Sequence, residues 1–187
     1  MKQDLDQPSM PERASLAAST REALSALSAS ELWDSGRAAD LQWFQFGRRR
    51  RVRTRQGGTK AVGQFALHVQ CAWRLRSSTG IVAGSGDRYY AREDLNGPDK
   101  ASSGWDRRGT NRSDEQLSAF FKPRRSAPPV VEAVKTDPVG GFCLMLSQGF
   151  ALEVFPDTTS PGERWRLFQP YSEKEHFVVT EAGVERQ

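Results

Sequence analysis

Six arginines crowd into eight positions, Arg48, Arg49, Arg50, Arg51, Arg53 and Arg55, with no acidic residue among them. Guanidinium groups present planar forked donors that match phosphate oxygens, and a cluster of them gains further from counterion release on a nucleic acid. The whole chain carries a net charge of +4, and taking those six arginines away leaves −2, so its basicity is a local feature. Nucleic-acid binding through this run is therefore one chemistry on offer. The aromatics that single-strand binders interleave with such charge, here Trp43, Phe44 and Phe46, all precede it. A solvated connection, or charge guarding a sheet edge, accounts for the same residues.

Acid–base chemistry has fewer candidates. His68, Gln70 and Arg74 fall on one side of an alternating segment, a polar row able to meet a partner or simply water. A hydrolase would need His68 within hydrogen-bond reach of Glu153 or Asp87. The glycine-rich string Ala83–Tyr90 fails as a phosphate cradle, because Tyr89 stands where a third glycine is required. It also fails as a nucleophile elbow, because Ser85 is flanked by Ala83 and Asp87. It reads as a turn or bulge. His68 and His176 are the chain's two histidines, 108 positions apart, and Cys71 and Cys143 sit in apolar stretches without a Cys-x-x-Cys pair. No zinc site, other metal or cofactor is expected from these spacings, and the thiols read as buried and reduced.

The densest polar segment is Gly104–Glu115, where Trp105, Asp106, Arg107, Asn111 and Arg112 lead into a helix start. Trp and Arg together form the kind of surface that anchors interfaces. The same residues also suit a self-satisfied loop, with Asp106 in a local turn and Asn111 or Ser113 capping the helix.

These residues must be positioned by elements legible from periodicity. Residues 1–12 are polar with two prolines and read as a disordered tail. Leu16, Ala23, Leu24, Leu27 and Leu32 fall near one stripe, predicting a helix within 13–36 with a thin apolar face, ended by Asp34-Ser35-Gly36. From Phe65 to Leu75, Phe65, Leu67, Val69, Cys71, Trp73 and Leu75 alternate with Ala66, His68, Gln70, Ala72 and Arg74, which predicts one long half-buried strand. Ser113 with Gln116 matches a capping box ahead of Leu117, Phe120 and Phe121, and Pro123 limits that helix to a short one. Strand signals then follow at 130–134, 141–147, 150–155, 165–168 and 177–180, with Gln148-Gly149 as a tight hairpin turn. The fold class is α+β: a twisted, mainly antiparallel sheet of about seven or eight strands with an N-terminal and a short middle helix, in a single domain over 37–182 with a tail at 183–187.

At 187 residues with 37% hydrophobic content, one compact domain is expected, and the longest mid-chain apolar run, Phe142–Leu146, is far too short to cross a bilayer. Lys2, Asp4 and Asp6 replace the apolar core of a signal peptide, so a cytoplasmic location without a membrane partner is expected. The strings ALHVQCAWRL, GIVAGSGDRYY, WDRRGTNRSDEQL and GFALEVFPD with ERWRLFQP and HFVVT resemble a group of small bacterial proteins of this block order, over residues 30 to 180. That resemblance implies no activity and transfers no site residue. By analogy, small bacterial α+β proteins of this size serve as immunity or other interaction partners. The expectation is thus a non-enzymatic protein-interaction module that acts through His68, Gln70, Arg74 and the Trp105–Arg112 loop. The alternatives are nucleic-acid binding through Arg48–Arg55 and a hydrolase built on His68.

Overall fold

The computed structural model describes residues 10–54, 57–93 and 109–187. The predicted tail up to residue 9, Arg55, and the loop residues Trp105, Asp106 and Arg107 lie outside the described residues. The fold is α+β and antiparallel throughout its strand pairings. Among the described residues it has two α-helices, α1 (Met10–Ser25) and α2 (Arg112–Phe121). Its first seven strands are β1 (Leu32–Ala38), β2 (Leu41–Phe46), β3 (Arg50–Arg53), β4 (Thr59–Val62), β5 (Phe65–Val69), β6 (Ala72–Arg76) and β7 (Ile81–Gly84). After α2 follow β8 (Val131–Thr136), β9 (Phe142–Leu146), β10 (Phe150–Phe155), β11 (Glu163–Phe168), β12 (Phe177–Thr180) and β13 (Gly183–Arg186).

The expected single sheet is instead two sheets and a ribbon. One sheet runs β1-β2-β5-β11-β12-β13, the other β7-β6-β10-β9-β8, and β3 with β4 forms a separate two-stranded hairpin. The alternation from Phe65 to Leu75 is real, since Leu67, Val69, Cys71, Trp73 and Leu75 are all buried. It does not describe one strand. The chain leaves β5 at Gln70-Cys71 and enters the other sheet as β6, while the Gln70 amide still donates to the Arg164 carbonyl at 2.8 Å. Strands that switch sheets make the corners of sandwiches, and because both inner faces line one core, the two-residue rhythm survives the corner. Phe44, Trp73, Leu144, Leu152, Trp165 and their neighbours fill that core, with the Phe44 and Trp73 rings in an edge-to-face pair, centres 5.3 Å apart, and the Phe142 and Trp165 rings in another, centres 4.9 Å apart.

The N-terminal helix stops at Ser25, well short of residue 36. Its thin face buries Thr20 and Leu24, one stripe at i and i+4, and Leu27 in the turn that follows is buried as well. Ala29 at φ 58° then turns the chain, and its amide donates to Val131 on β8. Asp34, Ser35 and Gly36, expected to end the helix, lie inside β1 instead. Gly36 is needed there because a Cβ would come within 2.3 Å of the Trp43 ring on the neighbouring strand. A bulge between Leu32 and Asp34 lets Leu32, Ser35 and Arg37 all share the core side with Phe46, Phe44 and Gln42. Of the two capping residues expected for the middle helix, Asn111 is the cap, its side chain accepting from the Asp114 amide at 2.9 Å, and Ser113 of the capping-box reading is buried inside the first turn. At the carboxyl end, the expected tail is strand β13, paired to β12 from Phe177↔Arg186 to Thr180↔Gly183.

Candidate functional site

Arg50–Arg53 of the arginine run form β3, one arm of the β3–β4 hairpin, with Arg48 and Arg49 leading into it. Opposite residues in an antiparallel pair share a face, so the register separates two sets. Arg51 and Arg53, across from Ala61 and Thr59, point outward and are exposed. Arg50 and Val52, across from Val62 and Lys60, face the body, where Val62 is buried. Alternate residues on a strand are about 6.8 Å apart, so the outward guanidinium stems stand at a fixed repeat.

The base of the hairpin is fixed in several ways. Arg50 donates to the carbonyl of Pro170, Lys60 lies 5.4 Å from the centre of the Tyr171 ring, and Arg49 lies 4.9 Å from that of Trp33. Gly63 donates to Gln45 Oε1 at 2.7 Å and passes so close to β2 that a Cβ would meet the Phe46 carbonyl at 2.6 Å. Arg49 also donates to the Arg125 carbonyl at 3.4 Å, which brings the Lys122–Arg125 turn beside the hairpin. Arg48, Arg49, Arg50, Arg51, Arg53, Lys60, Lys122 and Arg125 are all exposed, and none makes an ion pair with a carboxylate among the described residues. Lys60, Lys122 and Arg125 join the site only in three dimensions. The sequence signal that could have found Lys60 is the Gly57-Gly58 pair between it and the run.

The polar row is divided by the corner. His68 lies on the six-stranded sheet and Arg74 on the five-stranded one, with exposed Gln70 at the bend. His68 packs edge-on against Phe168 at 4.7 Å, and Phe168 stacks on His176 at 4.5 Å, so the two histidines share one cluster despite their separation in sequence. Arg166 completes it, 3.3 Å from His176 Nδ1 and paired with Glu163. Burial, with the Arg166 charge adding to it, pulls the His68 pKa down to about 4, and the same causes lower that of His176. A neutral imidazole with no acidic hydrogen-bond partner among the described residues is poorly placed for proton transfer. Glu153 stands in the other sheet with its oxygens taken by Arg74 and by Arg76, the latter at 2.7 Å. Burial pushes the Glu153 carboxyl up, but the bonds from Arg76 and Arg74 outweigh it and hold the pKa below the ordinary value. Asp87 accepts from the Gly84 amide at 2.8 Å in a local turn, as expected of that glycine-rich string. Burial, helped by Asp157, raises the Cys71 thiol to about 12 and leaves it inert as a nucleophile.

Of the described loop residues, Asn111 is consumed as the α2 cap and Arg112 pairs with Glu93 at 2.6 Å. The third feature is an ion pair that no sequence pattern announced. Arg37 Nε meets Asp114 at 3.2 Å, with side chains 3% and 13% exposed, and closes the sheet onto α2. Beside it runs a groove of about 350 Å³ between β1 and α2, walled by Trp33, Ser35, Leu117 and Phe121. Among the described residues no group of three His, Cys, Asp or Glu side chains could hold a metal, and no helix is long and apolar enough to cross a membrane. No family model, curated protein or solved structure matches this chain.

Proposed function

We propose that this protein binds nucleic acid through the β3–β4 hairpin and the adjoining Lys122–Arg125 turn. One observation carries the reading: eight exposed cations converge there without a carboxylate partner among the described residues, on a chain otherwise slightly acidic. Surface cations are usually interspersed with acids. A patch so rich in cations, with Asp34 and Asp114 lining only the groove beside Lys122 and Arg125, raises the local potential and attracts polyanions. The outward face of the ribbon offers Arg51, Arg53, Ala61 and Thr59 and no aromatic ring for stacking single-stranded bases or anchoring a protein interface, the exposed Tyr171 lying instead at the base beside Lys60. A two-stranded ribbon of this kind has the dimensions to lie in the major groove of a duplex. The ligand favoured is therefore a double strand held mainly by its phosphates.

Fluorescence anisotropy with a labelled DNA duplex across a salt series tests this. If all eight cations engage phosphates, log K falls against log salt with a slope of about −7, and Arg51→Ser with Arg53→Ser makes the slope shallower by about 2. Binding that is absent at low salt, or unchanged in the double variant, overturns the proposal. Binding of an acidic protein in place of duplex by the same hairpin would redirect it to a protein partner.

A further inference from the structure

At the foot of the hairpin, Arg48, Arg50, Gln64 and Gln169 line a cleft of about 280 Å³. The four side chains come from three places in the chain: the lead into and start of β3, the link between β4 and β5, and the residue just after β11. All four carry N–H donors, and two of them carry fixed positive charge. Arg50 spends one donor on the Pro170 carbonyl, whereas Arg48, Gln64 and Gln169 make no side-chain hydrogen bond or ion pair within the described chain. Among the described residues no carboxylate lines the cleft. The supporting backbone is held firmly: Gly63, next to Gln64, is locked to Gln45, and Pro170, next to Gln169, is buried.

N–H donors from four side chains around one cleft, two of them cationic and with no acid among the described lining residues, match the donor chemistry of an oxyanion site. The outward arginines Arg51 and Arg53 are suited to a backbone running past them, open on both sides. A concave cleft with donors on its separate walls suits a group attached at one point only, with its remaining oxygens free. We infer that this cleft binds a phosphomonoester, specifically the terminal phosphate of a bound strand. The identity of that carrier rests on the nucleic-acid reading of the hairpin, while the chemistry of the cleft stands on its four donors.

Two measurements separate the parts. In the first, the full-length protein is titrated with two short DNA duplexes of one sequence, one phosphorylated at its strand ends and one with free hydroxyls. The phosphorylated duplex should bind at least about tenfold tighter, the effect of one or two charge-assisted hydrogen bonds. Gln64→Ala with Gln169→Ala should remove that preference and leave the unphosphorylated duplex within about twofold of wild type. Arg51→Ser with Arg53→Ser should weaken both duplexes and keep the preference. Equal binding of the two duplexes by the wild type, or a preference that survives in the glutamine variant, overturns the inference. In the second, inorganic phosphate is added to the isotopically labelled protein, and the side-chain amide resonances of Gln64 and Gln169 should shift. If neither duplex binds yet these resonances move, the hairpin reading fails and the cleft is a site for a free phosphate compound. If the resonances stay still and no end preference is seen, the cleft is not an oxyanion site.

Discussion

Replacing Arg37 by methionine removes the charge that holds α2 against the six-stranded sheet while roughly preserving volume. Removing one partner of a buried ion pair usually costs about 3–5 kcal/mol, because the other charge is left in a poor solvent. The value here belongs at the lower end. Asp114 keeps a 2.6 Å bond from the Gly109 amide and sits in the first turn of α2, where the helix dipole favours a carboxylate. A loss of about 3 kcal/mol is a large share of the roughly 5–15 kcal/mol typical of a folded domain. At this chain length it corresponds to a fall in melting temperature of about 6–12 °C. Differential scanning calorimetry and urea melts of Arg37→Met, Asp114→Leu and the double variant would measure it. The double variant should be more stable than the sum of the single losses predicts, since neither charge is then left unpaired. A shift below about 1 °C for Arg37→Met, or losses that add to within about 0.5 kcal/mol, would refute the assignment of this pair as the clamp on α2.

Other expectations are more local. The His68 pKa lies near 4 in the folded chain against 6.5 for a free imidazole, so between these values the unfolded chain binds more protons. Stability should therefore fall as pH drops from about 6.5 to 4 and then level off with respect to this group. The ring is partly open to solvent, so the loss should be about 1–2 kcal/mol. Urea midpoints against pH would show it, and His68→Gln should at least halve the slope, His176 supplying the rest; an unaltered slope would remove His68 as the source. Gly63→Ala forces a methyl group against the Phe46 carbonyl and should cost about 1–3 kcal/mol in the same melts. A neutral result would mean that the link carrying Gln64 yields easily and that the cleft is not pre-set.

The sequence disclosed the elements with strong local rhythm. The stripe of Leu24 and Leu27, the alternation through Trp73, the stop at Pro123 and the turn at Gln148-Gly149 all depend on residues near one another in the chain. What it concealed depended on distance or on masked periodicity. Arginine after arginine gives no contrast between the two faces of a strand, so the hairpin emerged only when Val52 and Val62 were seen to face inward together. The predicted helix overruns the end of α1 because Leu32 continues the helical stripe although it belongs to a strand, and the bulge that follows it has no composition of its own. Arg37 and Asp114 meet across 77 intervening steps of chain, and the cleft gathers Gln64 and Gln169 from still farther apart. No periodicity reports such meetings.

The bend at Gln70-Cys71 bears on how the molecule comes apart. A single unbroken backbone segment contributes a central strand to each layer, flanked by β2 and β11 on one side of the bend and by β7 and β10 on the other. Neither layer can shed its middle member without pulling the other's with it, and Trp73 sits just past the hinge as shared ballast. Melting should consequently be all-or-none, with amides of both layers exchanging their hydrogens at a common rate, and the outlying basic ribbon free to open earlier on its own.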